Sequence, residues 1–256
     1  MPLNDAIIEI DWDQVPACGL SQTKSRLAIG FVPLQAFLQH YLPALPTEDL
    51  RQARPRAVAA EDFSRPLLAP MELARVNAFK SLKRQIEWMA GRLAAKTLAR
   101  SLGASGDDIT AIRIAYRPEG APYLDRRPDL SLSISHAHDY AVAGLSRDAD
   151  TILGLDLEKQ QPLDIELMLR TAFSDRERRR LDPADRDRFF ECWTLKEAYL
   201  KYLGKGFRES LKQIEILDNF GLYHHGQPVP RVAVQILKPF PAYTLSIVSG
   251  PQPTSL

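Results

Sequence analysis

The sequence predicts an α+β protein built from two successive halves, each of which combines β-strands with helices. Two observations support this class. Helical periodicity and strand-like alternation follow one another in two rounds along the chain, and no sequence repeat of fixed short period is visible. The second round begins after a boundary near Ser146 to Thr151. We therefore expect residues 1–148 to form the N-terminal half and residues 149–256 the C-terminal half.

Composition narrows the functional class. The chain has 256 residues, of which 45% are hydrophobic and 25% charged, as is typical of a globular protein with a sizeable core. A net charge of +1 argues against a nucleic-acid partner. No apolar run approaches the roughly 18 residues of a membrane span, and residues 1–5 lack the features of a signal peptide. Cys18 and Cys192 have no metal or redox spacing, so a reducing cytoplasm is expected.

The first seventy residues are interrupted by prolines, and the sequence predicts no role for them. The elements expected in the N-terminal half are a strand at 6–10, one long helix or two in series at 71–101 ended near Gly103, and strands at 111–116, 130–135 and 141–145. The strand at 130–135 alternates apolar residues with serine, which is typical of a half-buried strand. The polar face of the 71–101 helix, with its basic residues, is most typical of a solvated surface.

The C-terminal half begins with a strand of unusual polarity. The elements expected here are a strand at 152–158, helices over 163–203, and strands at 231–236 and 243–248. Because side chains alternate along a strand, Gly154, Asp156 and Glu158 share one face, with the two carboxylates about 7 Å apart. That face either lies in water or meets a cation, since like charges this close destabilise each other without screening.

A second charged group lies in a mostly apolar helix at 189–203. Glu197 projects from the middle of the apolar stripe, and Lys201 follows it by one helical turn. On an exposed face such a pair contributes only about 0.2–0.5 kcal/mol, and burying it is costly without further partners. A metal ion for the glutamate and a phosphate for the lysine are partners of the required chemistry.

The ligand type indicates which metal. Three carboxylates without a thiolate favour a hard cation, and magnesium commonly combines one or two carboxylates with waters and phosphate oxygens. A substrate that carries a diphosphate is therefore expected.

These residues carry a resemblance to a known family, the 4'-phosphopantetheinyl transferase superfamily. The resemblance extends from about Lys80 to Gly206 and is specific in the order and spacing of its motifs. The motifs are Glu87-Trp88-Met89-Ala90-Gly91-Arg92, Gly120-Ala121-Pro122, Ser133-Ile134-Ser135-His136, Gly154-Leu155-Asp156-Leu157-Glu158, Phe173-Ser174-Asp175-Arg176-Glu177, the run from Trp193 to Lys201, and Gly204-Lys205-Gly206. The length resembles that of the monomeric surfactin-synthetase-activating class, which implies two similar α+β halves related by a pseudo-twofold axis.

The resemblance implies an activity and its principal residues. Asp156, Glu158 and Glu197 are expected to hold Mg²⁺ against the pyrophosphate of coenzyme A. Glu197 is also expected to deprotonate the serine of an apo carrier protein, directly or through a water. Lys201 is expected to stabilise or protonate the departing 3',5'-ADP. The implied enzyme is of the holo-[acyl-carrier-protein] synthase type, acts on acyl, aryl or peptidyl carrier proteins, and is a monomer.

The resemblance also implies contacts with the phosphates of coenzyme A. The residues expected to make them are His136 with Ser135, then Arg84 or Lys83, Arg92 and Lys196. The family often has a basic residue in the middle of its glycine-x-proline motif, where this chain has Ala121. That contact is expected either to be lost or to be supplied by Arg117 or another side chain.

Three alternatives remain beside this reading. His136-Ala137-His138-Asp139 has the residue types of a zinc site, although Tyr140 follows where a binuclear motif would have histidine, and His40, His224 and His225 form no clear second cluster. A catalytically silent protein of the same fold that binds carrier proteins is the second alternative. The third is another magnesium-dependent transferase that uses a different diphosphate, and the absence of a G-x-x-x-x-G-K loop argues against it.

Overall fold

A computed structural model describes residues 8–9, 27–43, 54–63, 66–103, 108–147, 149–205 and 209–253. These residues form helices and antiparallel sheets, which confirms the α+β class. The α-helices are α1 (Leu34–Tyr41), α2 (Pro70–Val76), α3 (Leu82–Ser101), α4 (Ile165–Ala172), α5 (Asp175–Arg178) and α6 (Arg186–Leu203). The strands are β1 (Ile8–Glu9), β2 (Leu27–Pro33), β3 (Ile114–Tyr116), β4 (Pro122–Leu124), β5 (Arg127–Ala137), β6 (Tyr140–Ser146), β7 (Ile152–Lys159), β8 (Ile214–Ile216), β9 (Leu222–His224), β10 (Gln227–Pro228), β11 (Ala233–Leu237) and β12 (Tyr243–Gly250).

The strands of the described residues divide between a large sheet from the first part of the chain and two small sheets from the second. The six-stranded sheet has the order β1-β2-β6-β5-β4-β3, and the small sheets have the orders β11-β12-β7 and β10-β9-β8. Neighbouring strands in all three sheets are antiparallel. This arrangement suits hairpin connections, which need only short turns.

A long helix packs on the sheet in each part. Helix α3 lies against β2, β5 and β6, and α6 lies against β7 and β12. Both contacts depend on a glycine. A Cβ atom on Gly91 of α3 would lie 2.9 Å from Cγ2 of Ile134, and a Cβ atom on Gly154 of β7 would lie 2.1 Å from the backbone oxygen of Ala198. The space that Gly154 leaves is therefore filled by the backbone of α6, which brings this helix close to the strand that carries Asp156.

The two parts share a buried ion pair in the same kind of position. Lys96 of α3 pairs with Glu72, which caps the first turn of α2. Lys196 of α6 pairs with Glu177, which caps the first turn of α5, at 2.6 Å. In each case a lysine of the long helix holds the capping glutamate of a short helix. This correspondence agrees with two similar halves.

Strands β5 and β7 meet through serine side chains. The hydroxyl oxygens of Ser131 and Ser133 accept hydrogen bonds from the backbone amides of Leu153 at 2.9 Å and Leu155 at 3.0 Å. These partners advance together along both strands, so β5 and β7 run in the same direction. The serine face of β5 is covered by β7, so the prediction of a half-buried strand is wrong. The sheet that β5 belongs to and the sheet that β7 belongs to are thereby joined.

The structure confirms one further prediction of secondary structure and corrects another. The segment 71–101 forms two helices, α2 and α3, as one of the two alternatives proposed. The strand expected at 111–116 begins only at Ile114, because residues 109–111 form a turn of 3₁₀-helix. Strand β2 and helix α1 were not predicted. The boundary between residues 148 and 149 stays a prediction, and Cys18 lies outside the described residues.

No α-helix in the described part of the chain is both long enough and apolar enough to cross a membrane.

Candidate active site

Helix α6 runs antiparallel to β7, and this direction pairs their functional side chains. Trp193, Glu197 and Lys201 recur every four residues and form one stripe along α6. At one end of the stripe, Nε1 of Trp193 donates a hydrogen bond to Oε1 of Glu158 at 3.4 Å. At the other end, Nζ of Lys201 donates to Oδ1 of Asp156 at 2.8 Å. Glu197 lies between these two contacts on the same stripe, and its carboxylate is near enough to Asp156 for the two charges to repel each other.

Asp156 is buried at the centre of this group, with a relative exposure of 6%. Its Oδ1 atom accepts hydrogen bonds from Lys201 and from Oγ of Ser135, each at 2.8 Å. Its Oδ2 atom is buried and has no hydrogen-bond partner among the described residues. A buried polar atom without a partner is costly, so Oδ2 is available for a ligand.

The other two acids have perturbed protonation. Burial first, and then the charge of Asp156, raise the pKa of Glu158 to about 7. The same two causes, in the same order, raise the pKa of Glu197 to about 7, while Lys201 acts in the opposite direction. Without a cation, the site therefore resists holding three carboxylates in their charged form.

The donor set fits a magnesium ion. Hard cations prefer oxygen ligands. The site offers the unpartnered Oδ2 atom of Asp156 and the carboxylates of Glu158 and Glu197, whose pKa values are raised. A divalent cation would offset the burial and the charge of Asp156, which raise both pKa values. We refer to these three residues as the acid cluster.

His136 lies on the opposite face of β5 from Ser135, as alternation along a strand requires. Ser135 faces Asp156, whereas His136 faces α3, where its Nδ1 atom is 3.5 Å from Oε2 of Glu87. The Nε2 atom of His136 is hydrogen-bonded to the guanidinium of Arg84. Burial lowers the pKa of His136 to about 4, and the nearby cations of Arg84 and Lys201 contribute to the shift. This imidazole is therefore neutral at physiological pH and lies in a cationic environment.

Lys83 belongs to the same group. Its Nζ atom is 2.9 Å from Oε1 of Glu87, the residue that also contacts His136. The sequence left open whether Lys83 or Arg84 makes one of the predicted contacts with coenzyme A. In the structure both lie beside His136, Arg84 directly and Lys83 through Glu87.

Lys196 and Arg92 were predicted to contact coenzyme A, but both side chains are buried. Lys196 is fully buried and its Nζ donates to Glu177, so it does not reach the acid cluster. Arg92 has a relative exposure of 2%, and its guanidinium lies 4.0 Å from the centre of the Trp88 ring. Arg92 also donates to the hydroxyl of Tyr116. Both cations support the packing of their helices and are not presented to a ligand.

Arg117, expected to contact coenzyme A, packs on an aromatic ring in this structure. The guanidinium of Arg117 lies 5.2 Å from the centre of the Tyr123 ring, and its Nη2 atom is 3.4 Å from the carbonyl oxygen of Pro128. Its backbone amide closes the turn that contains Gly120 and Ala121 by donating to Ala121. A role in coenzyme binding stays a prediction for Arg117.

The zinc alternative does not survive in the described residues. Oδ2 of Asp139 accepts from Nζ of Lys159 and from the hydroxyl of Tyr243, each at 2.7 Å. His136 points toward Glu87 on the other side of the strand. The histidines and aspartate of this hairpin therefore do not converge.

Sequence reasoning assigned no role to Glu87 or Trp193, although both lie in the motifs that it identified. Glu87 links Lys83 to His136, and Trp193 fixes one carboxylate oxygen of Glu158. The spacing of residues in the sequence indicated a role for each. Glu87 is an acid four residues after Lys83 on a basic helix face, and Trp193 lies one turn before Glu197.

Two family models match the chain. The N-terminal domain of 4'-phosphopantetheinyl transferases matches residues 72–146, and the 4'-phosphopantetheinyl transferase superfamily matches residues 152–234. Together the matched residues make up more than half of the chain. They include every residue of the acid cluster together with Lys201 and His136.

Individual relatives of the chain carry the name of the same family. A 4'-phosphopantetheinyl transferase from Bacillus subtilis is 25% identical over 64% of this chain and 72% of its own length. The transferase HetI from a Nostoc species is 32% identical over 58% of this chain and 64% of its own length. The transferase Sfp from Bacillus subtilis strain 168 is 28% identical over 43% of this chain and 49% of its own length. The chain thus spans two thirds or less of the length of most of these curated relatives. The chain belongs to the 4'-phosphopantetheinyl transferase superfamily and is similar to its Sfp-like members.

Proposed function

We propose that this protein transfers the 4'-phosphopantetheine group of coenzyme A to a serine of an apo carrier protein. The products are the holo carrier protein and 3',5'-ADP. The observation that carries the proposal is the position of Asp156, which has one oxygen held by Lys201 and Ser135 and the other buried without a partner among the described residues. Family membership supports the choice of coenzyme A and a carrier protein as substrates.

Asp156, Glu158 and Glu197 would hold Mg²⁺. When bound, the ion draws negative charge from the diphosphate oxygens of coenzyme A. The three residues contribute oxygens from two different elements, β7 and α6, so the close contact at Gly154 is needed to bring them together.

Glu197 is the proposed general base. Burial and the charge of Asp156 raise its pKa to about 7 in the metal-free protein, so this carboxylate is a stronger base than an exposed glutamate. It takes the proton of the carrier serine, directly or through a water. The serine oxygen forms a bond to the β-phosphorus, and the bond from that phosphorus to the bridging oxygen breaks.

Lys201 acts on the leaving group. Its Nζ atom already lies at the centre of the site, 2.8 Å from Asp156 and 3.3 Å from the carbonyl oxygen of Ile134. From this position it can donate to the oxygen that departs with 3',5'-ADP and thereby stabilise its developing charge. Asp156 holds the ammonium group in place.

His136, Arg84 and Lys83 are the proposed side-chain contacts for the coenzyme phosphates, whereas the hydroxyl of Ser135, also predicted as a contact, donates to Asp156. Arg84 suits this role because its planar guanidinium donates to phosphate oxygens in pairs. The neutral imidazole of His136 would gain a proton more readily once a phosphate lies beside it. Arg117 completes the proposal as a contact at the adenine end, in place of the basic residue that Ala121 replaces.

The finer assignments are part of the proposal. The enzyme is of the holo-[acyl-carrier-protein] synthase type, works as a monomer in the cytoplasm, and serves acyl, aryl or peptidyl carriers. Its halves are residues 1–148, which supply His136 and the α3 cations, and residues 149–256, which supply the acid cluster. The presence of all three acids and Lys201 favours an enzyme over a silent scaffold of the same fold.

Intact-protein mass spectrometry tests the function. The purified protein, coenzyme A and Mg²⁺ are incubated in parallel with apo acyl, aryl and peptidyl carriers. At least one carrier is expected to gain the mass of one phosphopantetheine, and the matched carrier with its acceptor serine replaced by alanine is expected to gain none. Carrier binding without a mass gain on any carrier would contradict the proposal and favour the silent scaffold.

A further inference from the structure

We infer that the protein has a second metal site, of the zinc type, formed by Glu209, His224 and His225. The sequence alone suggested that His224 and His225 form no clear cluster, and the structure corrects this. One ligand atom from each of the three residues lies within 4.8 Å of the other two. The site is separate from the acid cluster and has different ligands, because two of its three ligands are imidazoles.

The carboxylate of Glu209 faces both histidines. Nε2 of His224 is 3.5 Å from Oε2 of Glu209, and Nε2 of His225 is 3.4 Å from Oε1 of Glu209. Ligands at about 2.0–2.1 Å from a tetrahedral zinc ion are about 3.3 Å from one another. Each distance is long for a hydrogen bond of normal strength and close to the separation of two ligands on one zinc ion. Because the two distances involve different oxygens of Glu209, a set of three ligand atoms would draw together from within 4.8 Å when an ion binds.

His224 is oriented as a ligand. The residue has a relative exposure of 1%, and its Nε2 atom is buried without a hydrogen-bond partner in the part of the chain that the structure describes. On the other side of the ring, Nδ1 lies 3.4 Å from the hydroxyl of Tyr199. A partner at one ring nitrogen fixes the tautomer and leaves the other nitrogen for a metal.

The backbone places His225 beside His224 at a conformational cost. His225 and Gly226 form the two-residue turn between β9 and β10, with φ angles of 49° and 75°. A side chain in this left-handed region is uncommon, and asparagine or glycine usually occupies such turns. The turn brings the two imidazole rings to a centroid distance of 4.4 Å.

The chemistry of the ligands favours zinc over magnesium. Two imidazoles and one carboxylate are typical ligands of zinc and related transition metals, whereas magnesium prefers oxygen ligands. The nearest competing cation is Lys205, whose Nζ atom is 3.7 Å from Oε2 of Glu209 and whose side chain is 45% exposed. An ion would displace this ammonium group into solvent.

The position of the site indicates a structural role. Tyr199 follows Glu197 by two residues, which places it about 200° around α6 and away from the acid cluster. Glu209 comes from the segment after α6, whereas His224 and His225 come from the hairpin of β9 and β10. The ion would therefore tie the segment that follows Lys201 to this hairpin and hold the end of the helix that carries Glu197 and Lys201.

Zinc binding to the full-length protein tests the inference. The protein is treated with a chelator, magnesium is added in excess to occupy the acid cluster, and Zn²⁺ is titrated by calorimetry. One equivalent is expected to bind. His225→Ala is expected to weaken binding at least about tenfold, and because His225 is 51% exposed the variant is expected to fold. His40→Ala, at a histidine of α1, is the matched control and is expected to bind zinc normally.

Two further variants separate this site from the acid cluster. Asp156→Asn is expected to retain the zinc affinity of the unmodified protein, and Tyr199→Phe is expected to weaken it about tenfold through loss of the hydroxyl beside Nδ1. Substitution of cobalt should give the visible absorption of a four-coordinate site in the unmodified protein and not in His225→Ala. Absence of zinc binding, equal affinity in His225→Ala, or loss of binding in Asp156→Asn would overturn the inference. These readouts do not depend on transferase activity, so they stand apart from the proposed function.

Discussion

The Nζ atom of Lys201 lies 2.8 Å from Oδ1 of Asp156, and this contact joins the last turns of α6 to the middle of β7. The side chain of Lys201 is 31% exposed and the side chain of Asp156 is 9% exposed. One partner therefore reaches the solvent side of the site while the other stays in the interior. This difference suits a lysine that acts on a substrate and an aspartate that holds both a cation and the lysine.

Replacement of Lys201 tests its action on the leaving group. We expect Lys201→Met to lower kcat at least about 100-fold because the departing 3',5'-ADP loses its donor. We also expect a loss of stability of about 1–2 kcal/mol, because Asp156 loses a hydrogen bond while buried. Steady-state kinetics and urea unfolding measure the two effects. Lys212→Met, at an exposed lysine of the described residues, is the control and should change neither. A Lys201→Met enzyme with normal kcat would contradict the assignment.

Ser135 and Ser131 form a matched pair on β5, since both reach β7 but only Ser135 contacts an acid of the site. Ser135→Ala removes the hydrogen bond to Oδ1 of Asp156, so we expect the magnesium concentration for half-maximal activity to rise. Ser131→Ala removes the acceptor for the amide of Leu153 and is expected to cost about 1 kcal/mol of stability without this change. Magnesium titrations of both variants, alongside urea unfolding, make the comparison. The same magnesium dependence in both variants would show that Ser135 acts only in packing.

Gly154 is predicted to be the more sensitive of the two glycines at helix contacts. A Cβ atom at this position would lie 2.1 Å and 2.2 Å from backbone atoms of Ala198 and Tyr202, which cannot move without shifting α6. We expect Gly154→Ala to lower the free energy of unfolding by about 3 kcal/mol or more and to reduce activity in the folded fraction. Gly91→Ala meets only a side-chain methyl group at 2.9 Å and is expected to be milder. Chemical denaturation of both variants checks the order, and the reverse order would contradict it.

Stability should depend on pH and magnesium together. The pKa values of Glu158 and Glu197 are about 7 in the folded protein, above their ordinary value of 4.5, so the folded state binds more protons between these pH values. The free energy of unfolding of the metal-free protein is therefore expected to fall as pH rises through this window. Magnesium needs the charged carboxylates, so its stabilising effect should be larger at about pH 8 than at about pH 5.5.

Thermal unfolding with and without Mg²⁺ at the two pH values measures this dependence. The Glu158→Gln, Glu197→Gln double variant is the control, because it cannot titrate at either position. It should be more stable than the metal-free unmodified protein at the higher pH and should gain less from magnesium. An equal gain from magnesium at both pH values in the unmodified protein would argue against these acids as its ligands.

Local patterns in the sequence predicted much of the site. The period of two in 152–158 placed Asp156 and Glu158 on one face, and the period of 3.6 placed Glu197 and Lys201 one turn apart. The same patterns do not say which of two faces a neighbour covers. The serine face of β5 reads as solvated in the sequence, yet Ser133 and Ser135 are buried against β7. That contact brings residues about twenty positions apart together, and no local pattern encodes it.

The errors at Lys196 and Arg92 have a similar cause. A lysine or arginine inside a motif suggests a phosphate contact, but these two side chains are buried by partners that are distant in sequence, Glu177 and Tyr116. The sequence also did not predict that His224 and His225 lie close to Glu209. It depends on a left-handed turn at His225, which no local pattern in the sequence specifies.

The central claim is that Asp156, Glu158 and Glu197 form the magnesium site at which coenzyme A is cleaved. The most direct test measures holo carrier protein and 3',5'-ADP in the same reaction for the unmodified protein and for Asp156→Asn, Glu158→Gln and Glu197→Gln. The account predicts equal amounts of the two products from the unmodified protein, and rates reduced at least about 100-fold in Asp156→Asn and Glu197→Gln while both variants remain folded. A near-normal rate in either of these two variants would contradict the account.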